Sequence, residues 1–377
     1  MTKEKLIPNA SSETNIPTGD AAGPFSNHGV NRRTLLKGIG IAGAALTGGS
    51  LLAAAAEASA RSGVITSGDV AILRFLAAAE LIEADLWQQY AELGGLSQGV
   101  QNPYQLALQQ LDSDGSQYIQ SNSNDEASHA AFLNAYLESI GAEPVDLDAF
   151  RTLPSSQATG ALQIGRLTNI MNLTVDTSWY TRYRSAQNPD FGATFPQAIN
   201  LVNLPGIPRN NDDFGPTNHI QAIACTAAFH FGMIEQGGSS LYSAIVQKAS
   251  NLEVLRIVVS IGGDEVAHFL EWVDFSGNGV QPPIAPFTDP TNGLTFPNFD
   301  ATGNPLLQTN LIFPISCEFI NANLPLCAVI RPTNPKGIAM GVVNFLTQTG
   351  HFIGQSPAFF KTLTTLAKQA DAAQRSV

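Results

Sequence analysis

Two runs of sequence restrict what this chain can fold into more than any other feature. Glu126-Ala-Ser-His129 and Glu265-Val-Ala-His268 each set a carboxylate and an imidazole three residues apart, and each follows an aspartate, Asp125 or Asp264. On an α-helix, residues three apart share a face, so the two groups of each pair can reach the same ion. Both pairs lie within apolar helical stripes, where a polar group costs free energy unless it finds a partner. Four helices packed around two metal ions would satisfy both pairs at once.

The hydrophobic period supplies four such helices. The first spans Val70 to Leu93, with Ser67-Gly68-Asp69 as its cap and Gly94-Gly95 as its stop. Glu83 falls inside its apolar stripe, where an ordinary surface carboxylate would not. Glu80 lies about 60° to one side, next to Trp87. A polar stretch with Pro103 leads into the second helix, Gln117 to Ile140, which carries Glu126 and His129 inward. The third covers His219 to Ala249 with Glu235 on its inner face, and Gly237-Gly238 permits close approach of a neighbouring helix. The fourth runs from Leu252 to about Phe275 with Glu265, His268 and Trp272 inward.

A second regularity ties the helices into pairs. Tyr90 follows Glu83 by seven residues, and Tyr242 follows Glu235 by the same interval. Seven residues advance about 700°, so each tyrosine lies below its glutamate on one face. The chain order is Glu-x6-Tyr then Glu-x2-His, twice over, so each helical hairpin repeats the other. Stacked with two-fold symmetry, the hairpins supply Glu83, Glu126, His129, Glu235, Glu265 and His268 as metal ligands, with Glu80 as the alternative to Glu83. Tyr90 and Tyr242 are expected as ligand-orienting donors, and Asp125 and Asp264 as partners of the opposite histidines. This donor set suits iron or manganese better than magnesium, which keeps several waters, or structural zinc, which prefers thiolate.

These runs resemble the ferritin-like superfamily, whose pattern is Glu on the first and third helices and Glu-x-x-His on the second and fourth. The segments Glu80-Leu-Ile-Glu-Ala-Asp-Leu-Trp87, Asp125-Glu-Ala-Ser-His-Ala-Ala-Phe-Leu133 and Asp264-Glu-Val-Ala-His-Phe-Leu270 are similar to those of desiccation-related or ferritin-like domain proteins. The resemblance covers about Asp69–Gly141 and His219–Phe275. It implies an all-α, ferritin-like four-helix bundle holding two Fe or Mn ions, with dioxygen or peroxide as substrate if the chain is an enzyme. Manganese-catalase-like or oxidase-like chemistry, metal storage and a stress-associated structural role all share this fold and ligand set. Association into a homo-oligomer is left open, and ferritin-type cage assembly is disfavoured by the long insertion and tail.

The rest of the chain frames the bundle. Residues 142–218 are broken by prolines and glycines, with short helical pieces expected around Leu162–Ser185 and loop from Pro189 to Pro216. Such a segment suits a long crossover between helices 2 and 3. Ten of the 22 prolines lie between Gln281 and Pro335, which marks 276–377 as an irregular Pro-rich C-terminal extension. Two short helices are expected to close it, near Gly337–Phe352 and Pro357–Ala373.

Residues 1–60 read as a targeting segment. Asn31-Arg32-Arg33-Thr34-Leu35-Leu36-Lys37 resembles a twin-arginine (Tat) signal, Gly38–Ala56 is apolar, and Ala58-Ser59-Ala60 fits a cleavage site. The apolar stretch is weakly hydrophobic and Gly/Ala-rich, which favours removal over a retained membrane span. The expected location is periplasmic or extracellular. A net charge of −12 argues against nucleic acid as a partner. Cys317 and Cys327 are candidates for one disulfide in an exported chain.

Overall fold

The computed structural model describes residues 63–96, 99–182, 196–303, 314–318, 320–328 and 334–376. The expected targeting segment lies outside them.

Four long helices carry the fold: α1 (Ser67–Gly94), α3 (Gly115–Ser139), α5 (Thr217–Ile245) and α6 (Leu252–Asn278). Helix α1 packs along α3, and α5 along α6, so the bundle is built from two hairpins. The start of α1 is fixed by a capping box one residue earlier than the sequence suggests. Thr66 accepts from the Asp69 amide, and Asp69 accepts in return from the Thr66 amide. Asp69 also accepts from the Ser250 amide at 2.8 Å, tying this end of α1 to the turn that precedes α6.

A further helix, α2 (Pro103–Leu111), interrupts the stretch that the sequence reading treats as a polar approach to the second long helix. Asn102 caps it, Pro103 occupies its first turn, and Tyr104, Ala107, Leu108 and Leu111 form its buried face. Its four-residue stripe is too short to stand out by periodicity.

The crossover is mostly irregular. The only helix described in the Leu162–Ser185 stretch is α4 (Trp179–Arg182). Strand β1 (Leu173–Val175) pairs antiparallel with β2 (Leu201–Leu204) and packs on α5. Acidic side chains of α1 hold the crossover in place of helical hydrogen bonds. Asp85 accepts from the amides of Leu167 and Thr168 at 3.0 and 2.9 Å and pairs with Arg151. Arg166, fully buried, binds both carboxylate oxygens of Glu92.

In the extension, two small antiparallel pairs precede the last helices: β3 (Phe287–Thr288) with β4 (Thr295–Phe296), and β5 (Pro314–Ile315) with β6 (Cys327–Ala328). Cys317 and Cys327 are free thiols here, the first buried and the second exposed. Helices α7 (Ile338–Gln348) and α8 (Pro357–Ala372) match the expected pair, and α7 packs on α5 while α8 packs on α1.

The apolar interior divides into two clusters, and every long helix crosses between them. On α1 one cluster ends at Ile82 and the other begins at Leu86. The break falls between Ile119 and Leu133 on α3, Ile234 and Leu241 on α5, and Ile261 and Phe269 on α6. The layer between the clusters is polar, and it holds the residues singled out above.

Candidate metal centre

Glu126 and Glu265 stand at the middle of this layer, and the other ligand candidates surround them. Ligand atoms of Glu80, Glu126, His129 and Glu265 lie within 4.8 Å of one another, as do those of Glu126, Glu235 and His268. A third group joins Glu83 to Glu235 and Glu265. Glu126 therefore belongs to both groups that join a histidine to glutamates.

The histidines enter with a common orientation. Nδ1 of His129 is 3.1 Å from Glu126 Oε2 and 3.4 Å from Glu80 Oε2, while its Nε2 faces Asp264 at 3.2 Å. Nδ1 of His268 is 3.1 Å from Glu126 Oε1 and 3.4 Å from Glu235 Oε2, while its Nε2 faces Asp125 at 3.4 Å. Each aspartate thus backs the histidine of the other hairpin, the placement expected for a group that fixes ring orientation.

Glu80 and Glu83, alternatives in the sequence, both lie in the polar layer, in different groups. Glu80 is the counterpart of Glu235: one neighbours His129, the other His268. The aromatic donors follow the same pairing. Tyr242 donates to Glu80, and Trp87 Nε1 donates to Glu235 at 2.9 Å, with Asn122 adding a longer contact at 3.4 Å. Trp87 stands seven residues after Glu80, as Tyr242 does after Glu235. The repeat is therefore Glu-x6-aromatic with Trp87 in the first copy. Tyr90, expected to orient a ligand, points elsewhere: its hydroxyl binds His230 Nδ1 at 2.7 Å. The Glu80–Trp87 spacing was legible in the sequence. A match of identical residues, Tyr with Tyr, drew the register three positions away.

Glu83 is then a carboxylate without a counterpart. The residue three after Glu235 is Gly238, and a Cβ there would overlap the Glu265 carboxylate. The third helix thus gives up a side chain so that Glu265 can reach the centre. Beside Glu83 and Gly238 lies a small cavity between α1, α5 and α7, walled by Ile82, Leu86, Met233, Leu241, Val342 and Phe345.

Electrostatics show what is missing from a purely proteinaceous site. Burial pushes Glu83 and Glu265 well above the usual carboxylate range, with the neighbouring glutamates adding to the shift. Glu235 is raised by burial against the pull of His268, and Glu126 reaches about 7 despite its two histidine partners. Burial alone would depress the histidines, yet the carboxylates facing them lift His129 to about 10 and His268 to about 12. Five glutamates against two imidazoles leave an excess of buried negative charge, which only cations or bound protons can relieve. Glu80 Oε2, Glu83 Oε1, Glu126 Oε1, Glu235 Oε2, both Glu265 oxygens and His268 Nδ1 are buried without a hydrogen-bond partner. All belong to the cluster, and all are of ligand type. The residues fit a carboxylate-and-imidazole metal site.

Comparison with known proteins agrees with the helical bundle. The model of the ferritin-like domain family matches residues 68–272, more than half of the chain. The chain belongs to that family. No curated protein and no solved structure matches it.

Proposed function

We propose that the bundle holds a carboxylate-bridged pair of iron or manganese ions and exchanges electrons with dioxygen or peroxide. The observation that carries this reading is the set of seven buried carboxylate and imidazole atoms without a hydrogen-bond partner, gathered from all four long helices. In this reading Glu126 and Glu265 would serve both ions. Glu80 with His129 would hold one ion, and Glu235 with His268 the other. A bound iron or manganese pair supplies two redox equivalents in a water-poor setting. The chain's own part is to orient and to admit. Tyr242 and Trp87 fix the outer carboxylates by hydrogen bonds, Asp125 and Asp264 set the imidazole rings, and the apolar cavity beside Glu83 offers a small neutral molecule a way in.

The Arg32-Arg33 signal supports export of the folded, loaded protein, and a role in stress protection follows from peroxide or dioxygen consumption outside the cytoplasm. Elemental analysis of purified protein tests the centre. About two Fe or Mn per chain are expected from two bridged positions, and none in a Glu126→Ala/Glu265→Ala variant. Oxygen release from hydrogen peroxide would select the catalase-like version. A metal content near zero after reconstitution leaves a structural, desiccation-type role in its place.

A further inference from the structure

Away from the carboxylates, a second line of buried polar groups runs from α1 through α5 to the residues that follow α7. Tyr90 Oη lies 2.7 Å from His230 Nδ1, and His230 Nε2 lies 2.6 Å from His351 Nε2. His351 Nδ1 is 3.0 Å from Thr349 Oγ1, whose hydroxyl donates to the Phe345 carbonyl at 2.7 Å. Tyr90, His230 and His351 are fully buried.

One proton arrangement satisfies the whole line. Because Thr349 donates to Phe345, it accepts from His351 Nδ1–H. His351 Nε2 then accepts from His230 Nε2–H, and His230 Nδ1 accepts from the Tyr90 hydroxyl. Burial keeps both rings neutral: it holds His230 well below the ordinary histidine range and pulls His351 down to about 3. Burial likewise holds Tyr90 as a phenol. A backbone glycine makes room for it, since a Cβ on Gly206 would overlap the Tyr90 hydroxyl.

The other side of Tyr90 faces the candidate metal centre. Its ring is 5.8 Å from Trp87, centroid to centroid, and 4.6 Å from Phe231. Trp87 donates to the ligand carboxylate of Glu235 and stacks at 5.3 Å on Trp272. A single indole therefore separates Glu235 from a phenol that already has a neutral base in hydrogen-bond contact. Filling and satisfying the core does not require this. Apolar side chains of similar volume would pack the same space without desolvating three polar groups.

We propose that Tyr90 and His230 form a redox-active phenol–imidazole pair that passes electrons through Trp87 to the metal centre. The inference rests on the dinuclear reading above. In the step, the electron acceptor is the metal pair after its oxidation by peroxide or dioxygen. Tyr90 gives up one electron, by way of Trp87, and its hydroxyl proton goes to His230 Nδ1, leaving a neutral tyrosyl radical. The imidazolium so formed passes its Nε2 proton to His351. The line keeps the proton and so gains one positive charge, the metal pair takes up the electron, and the oxidising equivalent moves from the metal pair to Tyr90.

The test has two arms on the full chain. In the first, iron(II)-loaded protein is mixed with hydrogen peroxide and frozen for electron paramagnetic resonance. A hydrogen-bonded tyrosyl signal is expected, absent in Tyr90→Phe, altered in its hydrogen-bond signature in His230→Leu, and diminished in Trp87→Phe at equal iron content. In the second, metal-free protein is oxidised by a flash-generated ruthenium(III) polypyridyl complex, and the radical is followed by transient absorption. The same Tyr90-dependent signal is expected, slowed in deuterium oxide because the proton moves with the electron. If iron fails to bind, the dinuclear reading falls and the second arm still decides the pair. A radical spectrum and yield unchanged in Tyr90→Phe, in folded protein and in either arm that produces a radical, overturns the proposal. So does the absence of any tyrosyl signal in both.

Discussion

The first hairpin, α1 with α3, and the second, α5 with α6, are two copies of one design, and the first carries one more inward carboxylate than the second. Glu80 answers Glu235, Trp87 answers Tyr242, Asp125-Glu126 answers Asp264-Glu265, and His129 answers His268. Every supporting bond crosses between copies: Trp87 serves Glu235, Tyr242 serves Glu80, and each aspartate serves the far histidine. Neither hairpin completes its own half of the site, so forming the centre and docking the hairpins are one event. The difference is Glu83 against Gly238, and the cavity opens beside it. The pairing builds the polar layer, and the mismatch leaves a small cavity at its side.

The largest expected effect comes from removing that mismatch from the α5 side. In Gly238→Ala, the new methyl would collide with the Glu265 carboxylate, a group held by the bundle interior. Overpacking of this kind costs about 1–3 kcal/mol, and it displaces a carboxylate from the middle of the polar layer. Metal content should fall sharply and the melting temperature drop. A variant that keeps both would show that Glu265 does not occupy the centre.

Next in size are the crossed donors. If the hairpins are equivalent, Trp87→Phe and Tyr242→Phe should weaken metal binding by similar factors, about 10- to 100-fold each for loss of a supporting hydrogen bond. Competition with a chelator measures this. A loss confined to one variant would break the symmetry at the donors. Tyr90→Phe, outside the layer, should leave chelator competition unchanged.

How far the sequence carried these statements differs by residue. The two Glu-x-x-His pairs, Glu235 and both aspartates come from helical period alone, because an angle about a helix axis fixes which face a residue occupies. Period also assigned the four long helices and the last two. It could not separate Glu80 from Glu83, since about 60° lies within the width of the inner stripe, and what decided their roles was the partner across the bundle. The pairing of His230 with His351 leaves no trace in helical period. They are 121 residues apart, and only the fold sets their Nε2 atoms at 2.6 Å. The crossover resisted reading because its backbone is held by Asp85 and Glu92, side chains of another element.

A moderate effect is expected from pH in the metal-free protein. Glu126 is raised from 4.5 to about 7, and His129 from 6.5 to about 10. A group whose folded pKa is raised binds its proton more tightly when folded, so its stabilisation is complete below the unfolded value and lost as pH passes the folded one. The melting temperature of metal-free protein should therefore fall as pH rises from about 5 to 10, with steps near these two values. Metal binding replaces those protons, so the loaded protein should show a flatter profile and release protons on loading. A metal-free profile that rises across this window would contradict the buried carboxylate layer. Glu83→Gln should alter the profile at least as much as Glu126→Gln, because burial and the neighbouring glutamates raise Glu83 well above its ordinary value, whereas His129 and His268 hold Glu126 down.

The smallest effect tests the comparison one turn ahead of Glu126 and Glu265, where α3 carries Ser123-Asn124 and α6 carries Gly262-Gly263. The two glycines have different reasons to be there. A Cβ on Gly262 would lie 2.7 Å from Tyr242 Cβ, on the helix that hands its hydroxyl to Glu80, whereas a Cβ on Gly263 would meet nothing. Gly263 is exposed and helical, so Gly263→Ala removes backbone freedom from the unfolded chain at no steric cost. It should stabilise by roughly 0.5–1 kcal/mol and leave metal content alone. Gly262→Ala should do the reverse, pushing α6 from α5 and tilting Tyr242 away from Glu80. Thermal melts of the two variants, run with and without metal, give the sign of each. Opposite signs at adjacent residues would show that the close α5–α6 approach, rather than glycine content, sets the geometry of the second hairpin. Equal signs would mean that the hairpin tolerates a wider spacing than its ligands need.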